Sequence, residues 1–288
     1  MKKTAIMTDS NCGLMPVDGS RLGIYVIPMP VLVDDQTYYE GQDITVEEFY
    51  KKLSEGAKVS TSQPSPGDVM EMWNRLLKDY DEVVYIPMSS GLSSTYQNAS
   101  LLAQEEPYAG KVYVVNNHRI SVTQAQSALD AKLLADQGKN GAYIKRILEE
   151  ESMDATIYIV VDTLEYLKKG GRITPAAAAL GSMLNLKPVL QLQGEKLDSF
   201  AKVRGVKAAK RTMLKAIKND LETRFAGKKM VLGIAYTSRD EEEVQKWKEE
   251  VQEAFAGYEI VMNPLSLSVS CHIGPGSLAV TCTKVVEA

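Results

Sequence analysis

Short runs of apolar and β-branched residues alternate with helical patterns through the first half of the chain, and this alternation constrains the fold most. Patterns typical of buried strands cover residues 4–8, 83–88 and 112–116. Helical patterns cover residues 45–55, 66–79, 94–105 and 121–137. Because strands separated by helices favour parallel pairing, we expect a doubly wound, mostly parallel sheet here.

Two helices in this half have well-marked starts. Thr45 with Glu48 matches a capping box, in which each residue satisfies a backbone N–H of the other. Ser65 followed by Pro66 supplies an N-cap hydroxyl and a preset first-turn φ. These signals predict helices beginning directly after Thr45 and Ser65.

The pattern changes after the apolar run at residues 157–161. The later features are a Gly-Gly-Arg turn, a helix of small residues beginning near Pro175, strands near 188–203, long helices near 205–225 and 239–256, and apolar runs at 230–238, 258–270 and 277–286. A chain of 288 residues fits two compact domains. We therefore predict two α/β domains, residues 1–160 and 161–288, with a ligand cleft between them.

Composition excludes several classes of protein. Apolar residues make up 44% of the chain and charged residues 24%, with no run of about 18 apolar positions, so we expect neither a membrane span nor extensive disorder. The first apolar stretch is too short for a signal peptide. Cys12, Cys271 and Cys282 form no C-x-x-C pair, which argues against zinc and disulfides and favours the cytoplasm. A net charge of −4 disfavours general nucleic-acid binding.

Two segments are rich in hydroxyl groups and lie directly before predicted helices. Residues 61–66, Thr-Ser-Gln-Pro-Ser-Pro, precede a helix whose first-turn amides are free to bind an anion. Residues 89–96 follow a predicted strand, and Gly91 allows the backbone to turn so that amides converge. Both segments predict a carboxylate or phosphate cradle. The alternatives are ordinary caps and turns for the first segment and a solvated serine-rich loop for the second.

A third segment, residues 271–277, places His272 before the turn Gly274-Pro275-Gly276. A lone histidine is more often structural than functional, and this holds more strongly for His118, the other histidine of the chain. The glycines also match a dinucleotide fingerprint that ends at Ala279, but the nine residues that follow cannot complete a βαβ unit.

The segments TSQPS (61–65), SSGLSSTYQNA (89–99), LKKGGRI (167–173) and HIGPGSL (272–278), with Thr8-Asp9-Ser10, together resemble the DegV family of bacterial fatty-acid-binding proteins. The resemblance covers essentially the whole chain, in the expected order. It implies an acyl chain held between two α/β domains, as in the binding subunit of bacterial fatty acid kinase. It implies neither a cofactor nor a metal. The resemblance further implies that this chain is a ligand-binding subunit and not an enzyme, and that a separate kinase subunit would convert the bound carboxylate to an acyl phosphate.

The resemblance also implies the residues of the site. Thr61 and Ser93 would hold the carboxylate, with His272 close by. We also predict that Ser62 and Ser94 bind the carboxylate through their hydroxyls. Ser94 stands where the family commonly has glycine, so its role is open. Palmitate and oleate are the expected ligands, and the sequence leaves chain length undecided. Twelve methionines would suit an adaptable apolar wall for the tail, or they fill ordinary cores.

A basic turn around Lys169 and Arg172 is a candidate docking face for the kinase subunit. Two glycines allow a tight, exposed bend, and an arginine can bind a phosphate or carboxylate through two hydrogen bonds. Lys207, Arg211, Lys215 and Lys218 add a basic stripe on a later helix, or they form a solvated helix face.

Two other functions stay open. A serine-dependent acyl hydrolase or transferase would use Ser93 as nucleophile and His272 as base. The G-x-S-x-G elbow and the G-x-x-x-x-G-K-[ST] phosphate loop are both absent from the sequence. The other alternative is an interaction or regulatory module, which would carry no co-purified lipid.

Overall fold

The computed structural model describes residues 2–179 and 186–287. They form two α/β domains, as the sequence predicts. The sheet of the first domain is entirely parallel, in the order β2-β1-β6-β7. Its strands are β1 (Thr4–Asp9), β2 (Ile24–Ile27), β6 (Glu82–Ile86) and β7 (Val112–Val114). All residues of β1 and β6 are buried, because helices cover both faces of the sheet.

The predicted helices of the first domain are present, and two more accompany them. The helices are α1 (Pro16–Leu22), α2 (Val46–Ser54), α3 (Pro66–Leu76), α4 (Thr95–Leu102), α5 (Ser121–Asp136) and α6 (Gly141–Glu150), with a short 3-10 helix at Ser10–Cys12. Thr45 and Glu48 form the expected capping box, and Ser65 accepts a hydrogen bond from the Asp68 amide. Both marked helix starts are therefore confirmed.

A small antiparallel sheet in the order β4-β3-β5 was not predicted. It contains β3 (Pro30–Val33), β4 (Gln36–Tyr39) and β5 (Val59–Thr61). Its apolar side chains Val31 and Val33 share a core with Leu267 and Cys271 from the second half of the chain. This packing brings Thr61, the last residue of β5, against the second domain.

The second domain contains a six-stranded sheet in the order β10-β9-β8-β13-β11-β12. The strands are β8 (Ala155–Val160), β9 (Leu186–Leu192), β10 (Asp198–Arg204), β11 (Met230–Tyr236), β12 (Ile260–Pro264) and β13 (Leu278–Lys284). The pairs are antiparallel except β11 with β12. The helices are α7 (Glu165–Gly170), α8 (Pro175–Ala178), α9 (Val206–Glu222), α10 (Glu241–Ala254) and α11 (Leu267–Ile273).

The six-stranded sheet of the second domain begins in the chain slightly before the predicted domain boundary at residue 160. Strand β8 was expected to close the domain of residues 1–160, but it pairs with β9 and β13 in the six-stranded sheet. An apolar run shows that a strand is buried and does not show which sheet it joins. The small-residue helix begins at Pro175 as expected, and any continuation beyond Ala179 lies outside the described residues.

The two domains meet along an apolar surface. Helices α9 and α10 cover one face of the six-stranded sheet, where Met213 and Trp247 are buried. The opposite face carries Ile157, Ile159 and Leu190, which pack with Leu92 of the first domain. Helix α5 contacts strands of both sheets. In the described residues, no helix is long and apolar enough to cross a membrane.

Candidate ligand-binding site

A cavity of about 180 Å³, here called the inner cavity, lies between the domains. The residues predicted to hold a carboxylate all line it: Thr61, Ser62, Ser93, Ser94 and His272. Apolar side chains from both domains, including Leu92 and Ile273, line the rest. The fold thus gathers the three hydroxyl and histidine segments around one space.

The closest polar pair in this wall joins the two domains. The hydroxyl oxygen Oγ1 of Thr61 lies 2.8 Å from Nε2 of His272, although the residues are 211 positions apart. Thr61 ends β5, and His272 lies in the last turn of α11, which packs against β5. The tautomer of His272 decides which of the two groups donates.

His272 is neutral at physiological pH. Burial, the larger cause, and the nearby Arg172 guanidinium together lower its pKa to about 4. Helix α7 packs on α11, and Gly170 lies so close to His272 that an added Cβ would be 2.2 Å from Nδ1. Gly170, the first glycine of the LKKGGRI segment, therefore makes room for the imidazole ring.

The second hydroxyl loop is held by its own contacts. The Ser93 hydroxyl lies 2.8 Å from that of Thr95, and the Ser93 amide donates to the Ser89 carbonyl. Ser94 is the N-cap of α4 but makes no side-chain cap. Gly91 adopts no left-handed backbone. Its missing Cβ instead leaves room for Glu195, whose Cα would lie 2.7 Å from it.

Arg172 belongs to the cavity wall. Its Nε donates to the Leu92 carbonyl at 3.1 Å, and its Nη1 donates to the Gly170 carbonyl, so it links the two domains. Arg172 also lines a second space of about 400 Å³, here called the outer groove, which shares Thr61 and His272 with the inner cavity as well. Lys169 is exposed and lines the outer groove but not the inner cavity.

The inner cavity adjoins a small apolar space of about 50 Å³, here called the tail cavity. The two spaces share five lining residues: Leu92, Ile120, Leu197, Val269 and Ile273. Among the described residues, the methionines in these walls are Met29 and Met88, and both line the inner cavity. Most residues that line the tail cavity are aliphatic, and the others are Ser121 and Thr281.

Sequence reasoning missed Asn11 and Ser268, which also line the inner cavity. The Ser268 hydroxyl donates to Asn11 Oδ1 at 2.6 Å. Buried Asp9 accepts hydrogen bonds from the Met88 amide and from Gln124 Nε2, and burial raises its pKa. Asp9 thereby anchors the loop that leads to Ser89. The Thr8-Asp9-Ser10 motif was the available signal for this role.

Ser93 and His272, the nucleophile and base of the alternative hydrolase, have other hydrogen-bond partners. Ser93 bonds with Thr95 and His272 bonds with Thr61, and no hydrogen bond joins Ser93 to His272 within residues 2–179 and 186–287. The same residues contain no group of three or more His, Cys, Asp or Glu side chains that could hold a metal ion.

Fold and site together define a class: a two-domain α/β protein with a ligand cavity enclosed between its domains, polar at one end and aliphatic at the other. The family model described as uncharacterised protein, DegV family, matches residues 3–285. The chain therefore belongs to the DegV family.

Relatives match over nearly their full length. A DegV domain-containing protein of Listeria innocua is 31% identical over 288 residues, which is 97% of this chain and 98% of that protein. A solved structure from Thermus thermophilus, described as fatty acid binding of a DegV family protein, is 34% identical with a TM-score of 0.88 and covers 99% of this chain and 100% of its own. DegV of Bacillus subtilis, described as a fatty acid binding protein, is 26% identical with a TM-score of 0.85 at the same coverage.

Proposed function

We propose that this protein binds a long-chain fatty acid, with the carboxylate in the inner cavity and the tail reaching the tail cavity. The observation that carries the proposal is the Thr61–His272 pair at the polar end of a space that continues between aliphatic walls. The DegV proteins of Thermus thermophilus and Bacillus subtilis, both described by fatty acid binding, support it.

The polar end suits a carboxylate. A buried carboxylate is costly unless several donors satisfy it, and Thr61, Ser93 and neutral His272 offer hydroxyl and N–H donors. Ser62 and Ser94 are exposed side chains at the same wall and add further hydroxyls. The Arg172 guanidinium supplies the compensating positive charge nearby.

The aliphatic end provides affinity. Each buried methylene contributes roughly 0.8 kcal/mol before the cost of ordering the flexible chain is subtracted. Palmitate and oleate are therefore suitable test ligands.

We further propose that the protein presents its ligand to a kinase subunit that forms an acyl phosphate. The outer groove shares Thr61, Arg172 and His272 with the inner cavity, so a partner seated there would be next to the carboxylate. Lys169 and Arg172 give this groove positive charge. Because Arg172 also holds two backbone carbonyls, Lys169 is the cleaner residue for testing the docking role.

A reducing, cytoplasmic location fits this role. The thiols of Cys12, Cys271 and Cys282 are all free and buried. Such cysteines are typical of proteins that fold in a reducing compartment.

The decisive experiment is mass spectrometry of an organic extract of the purified protein, followed by titration of the delipidated protein with palmitate and oleate. We expect a co-purified fatty acid and a clear preference for the free acid over its methyl ester. An extract without lipid, together with no binding of either acid, would refute the proposal. Ester-cleavage assays would reveal the alternative hydrolase activity.

The docking role has a separate test. Lys169→Ala should leave palmitate binding unchanged and reduce kinase-dependent acyl-phosphate formation about tenfold, a loss of about 1.4 kcal/mol. Lys168→Ala is the matched control, since Lys168 is exposed on the same helix but does not line the outer groove. Equal effects of both substitutions would contradict docking through Lys169.

A further inference from the structure

Two alanines form part of the wall of the tail cavity. Ala235 of β11 and Ala279 of β13 have the smallest side chains among the residues that line this cavity, and each residue is 1% exposed. They are register partners in neighbouring antiparallel strands. Side chains of such partners lie about 5 Å apart on the same face of a sheet, so the two methyl groups form one patch.

The alternation of side chains along both strands turns this patch towards the cavity. The flanking residues Ile234 and Val280 belong to the core under α9 and α10. Both alanines belong instead to the apolar cluster between the six-stranded sheet and the first domain. Successive side chains of a strand point to opposite faces of its sheet, so the two alanines share the face that carries the cavity.

The sheet around the alanine pair is covered by larger groups. On β8, the partner of Ala279 is Ile159, which also lines the tail cavity. Two residues earlier in β11, a Cβ on Gly233 would lie 2.6 Å from Cγ2 of Val122, so α5 is already packed against the sheet there. The cavity floor is therefore deepest at the alanine pair.

The position and size of this space suit the methyl end of an acyl chain. The alanine pair lines the tail cavity but not the inner cavity, which contains the residues proposed to bind the carboxylate. No polar atom of the described residues is exposed at the wall of the tail cavity, so Ser121 and Thr281 contribute carbon atoms to it. An apolar cavity of roughly 150 Å³ holds a benzene molecule, so a cavity of about 50 Å³ has room for roughly two carbon atoms.

We propose that Ala235 and Ala279 set the acyl-chain length that this protein selects, because they form the end wall that the methyl end of the ligand reaches. This inference rests on the proposed fatty-acid binding and adds residues that determine its specificity. A chain that is too long must withdraw its carboxylate from the polar end, and a chain that is too short leaves the alanine pair uncovered. One methylene more or less in a fitted apolar pocket changes affinity about tenfold or more.

Titration of the delipidated protein with saturated acids from decanoate to stearate tests this inference. Valine in place of either alanine adds carbon atoms that fill the space at the end wall. In Ala235→Val and in Ala279→Val, the acid that binds wild-type protein most tightly should bind about tenfold more weakly, and an acid about two carbons shorter should become the best ligand. The ligand-free variants should keep or raise Tm, since the added carbons fill an existing cavity.

Ala216→Val is the matched control, because Ala216 is a buried alanine of α9 in the core on the opposite face of the same sheet. Its best ligand should be that of wild-type protein. An unchanged length preference in both cavity variants, or an equal loss of affinity for all chain lengths, would overturn the inference and leave fatty-acid binding intact. Failure of every acid to bind wild-type protein would overturn both. The two alanines lie in different strands, so either variant alone suffices if the other does not fold.

Discussion

Single residues at the polar end of the inner cavity hold one another in place. Thr61 pairs with His272, Ser93 pairs with Thr95, and Gly170 gives the imidazole its space. Each contact fixes a donor before any ligand arrives. Donors that are already oriented need little further ordering on binding, which favours affinity.

Loss of either principal hydroxyl should weaken fatty-acid binding. Thr61→Val and Ser93→Ala are each expected to cost about 1 to 3 kcal/mol, the usual effect of removing a hydrogen bond to a charged group. Isothermal titration with palmitate would measure this. Ser65→Ala is the control, because Ser65 caps α3 without lining the inner cavity, and its loss should cost about 1 kcal/mol of stability only. Unchanged affinity in both site variants would show that the hydroxyls do not hold the carboxylate.

The adjacent glycines Gly170 and Gly171 should respond differently to substitution. Gly170→Ala places a methyl group against Nδ1 of His272, so we expect the ring to move and palmitate affinity to fall about tenfold or more. Gly171 has φ of 70° with no atom within 4 Å of an added Cβ. Gly171→Ala should therefore cost about 1 kcal/mol of stability through backbone strain while affinity is kept. If Gly171→Ala weakened palmitate binding and Gly170→Ala did not, Gly170 would not be part of the binding site.

The lowered pKa of His272 predicts an acid-dependent loss of stability. In the unfolded chain His272 has the ordinary histidine pKa of about 6.5, whereas in the folded chain its pKa is about 4, so acidification across this window favours the unfolded state. Between pH 7 and 4.5, wild-type protein should lose up to about 2 to 3 kcal/mol more than His272→Gln. Urea unfolding at both pH values measures this difference. Parallel losses in the two proteins would mean that His272 titrates normally.

At the scale of elements, α11 determines the geometry of the site. It carries His272 together with Val269 and Ile273 of the cavity walls. Its first amide, on Leu267, donates to the Glu40 carboxylate at 2.7 Å. Glu40 comes from the loop after β4, so the small unpredicted sheet supports the helix at both its start and its face.

Glu40→Ala should loosen α11. The substitution leaves a half-buried amide unpaired and is expected to cost about 1 to 3 kcal/mol of stability, with weaker palmitate binding as a consequence. Glu40→Gln keeps an oxygen acceptor and removes a charge whose burial raises the pKa to about 6, so it should be close to neutral at pH 7. Thermal unfolding and titration of both variants test this. Equal losses of stability in the two variants would show that the charge of Glu40, and not its oxygen acceptor, holds α11.

At the scale of the whole molecule, the cavity walls come from both domains, so a bound ligand stabilises their association. A ligand that binds only the folded state adds stability that grows with its concentration, by about 2.7 kcal/mol at 100 times Kd. Delipidation should therefore lower Tm, and palmitate should restore it. A Tm that is insensitive to palmitate over a wide concentration range would mean that palmitate does not bind the folded protein selectively.

Local chemistry determined much of this protein. Apolar periodicity depends on neighbouring residues, so the buried strands, the long helices and the starts after Thr45 and Ser65 could be predicted from sequence. The same reasoning, with the family resemblance, selected Thr61, Ser93 and His272. It could not show that Thr61 and His272 share a hydrogen bond.

The tertiary structure alone decided that pairing, along with the sheet joined by β8, the small sheet β4-β3-β5, and the contacts of Arg172 with two carbonyls. Each of these features depends on residues that are distant in the chain and meet only when the domains pack. Their relation therefore leaves no periodic or local pattern in the sequence.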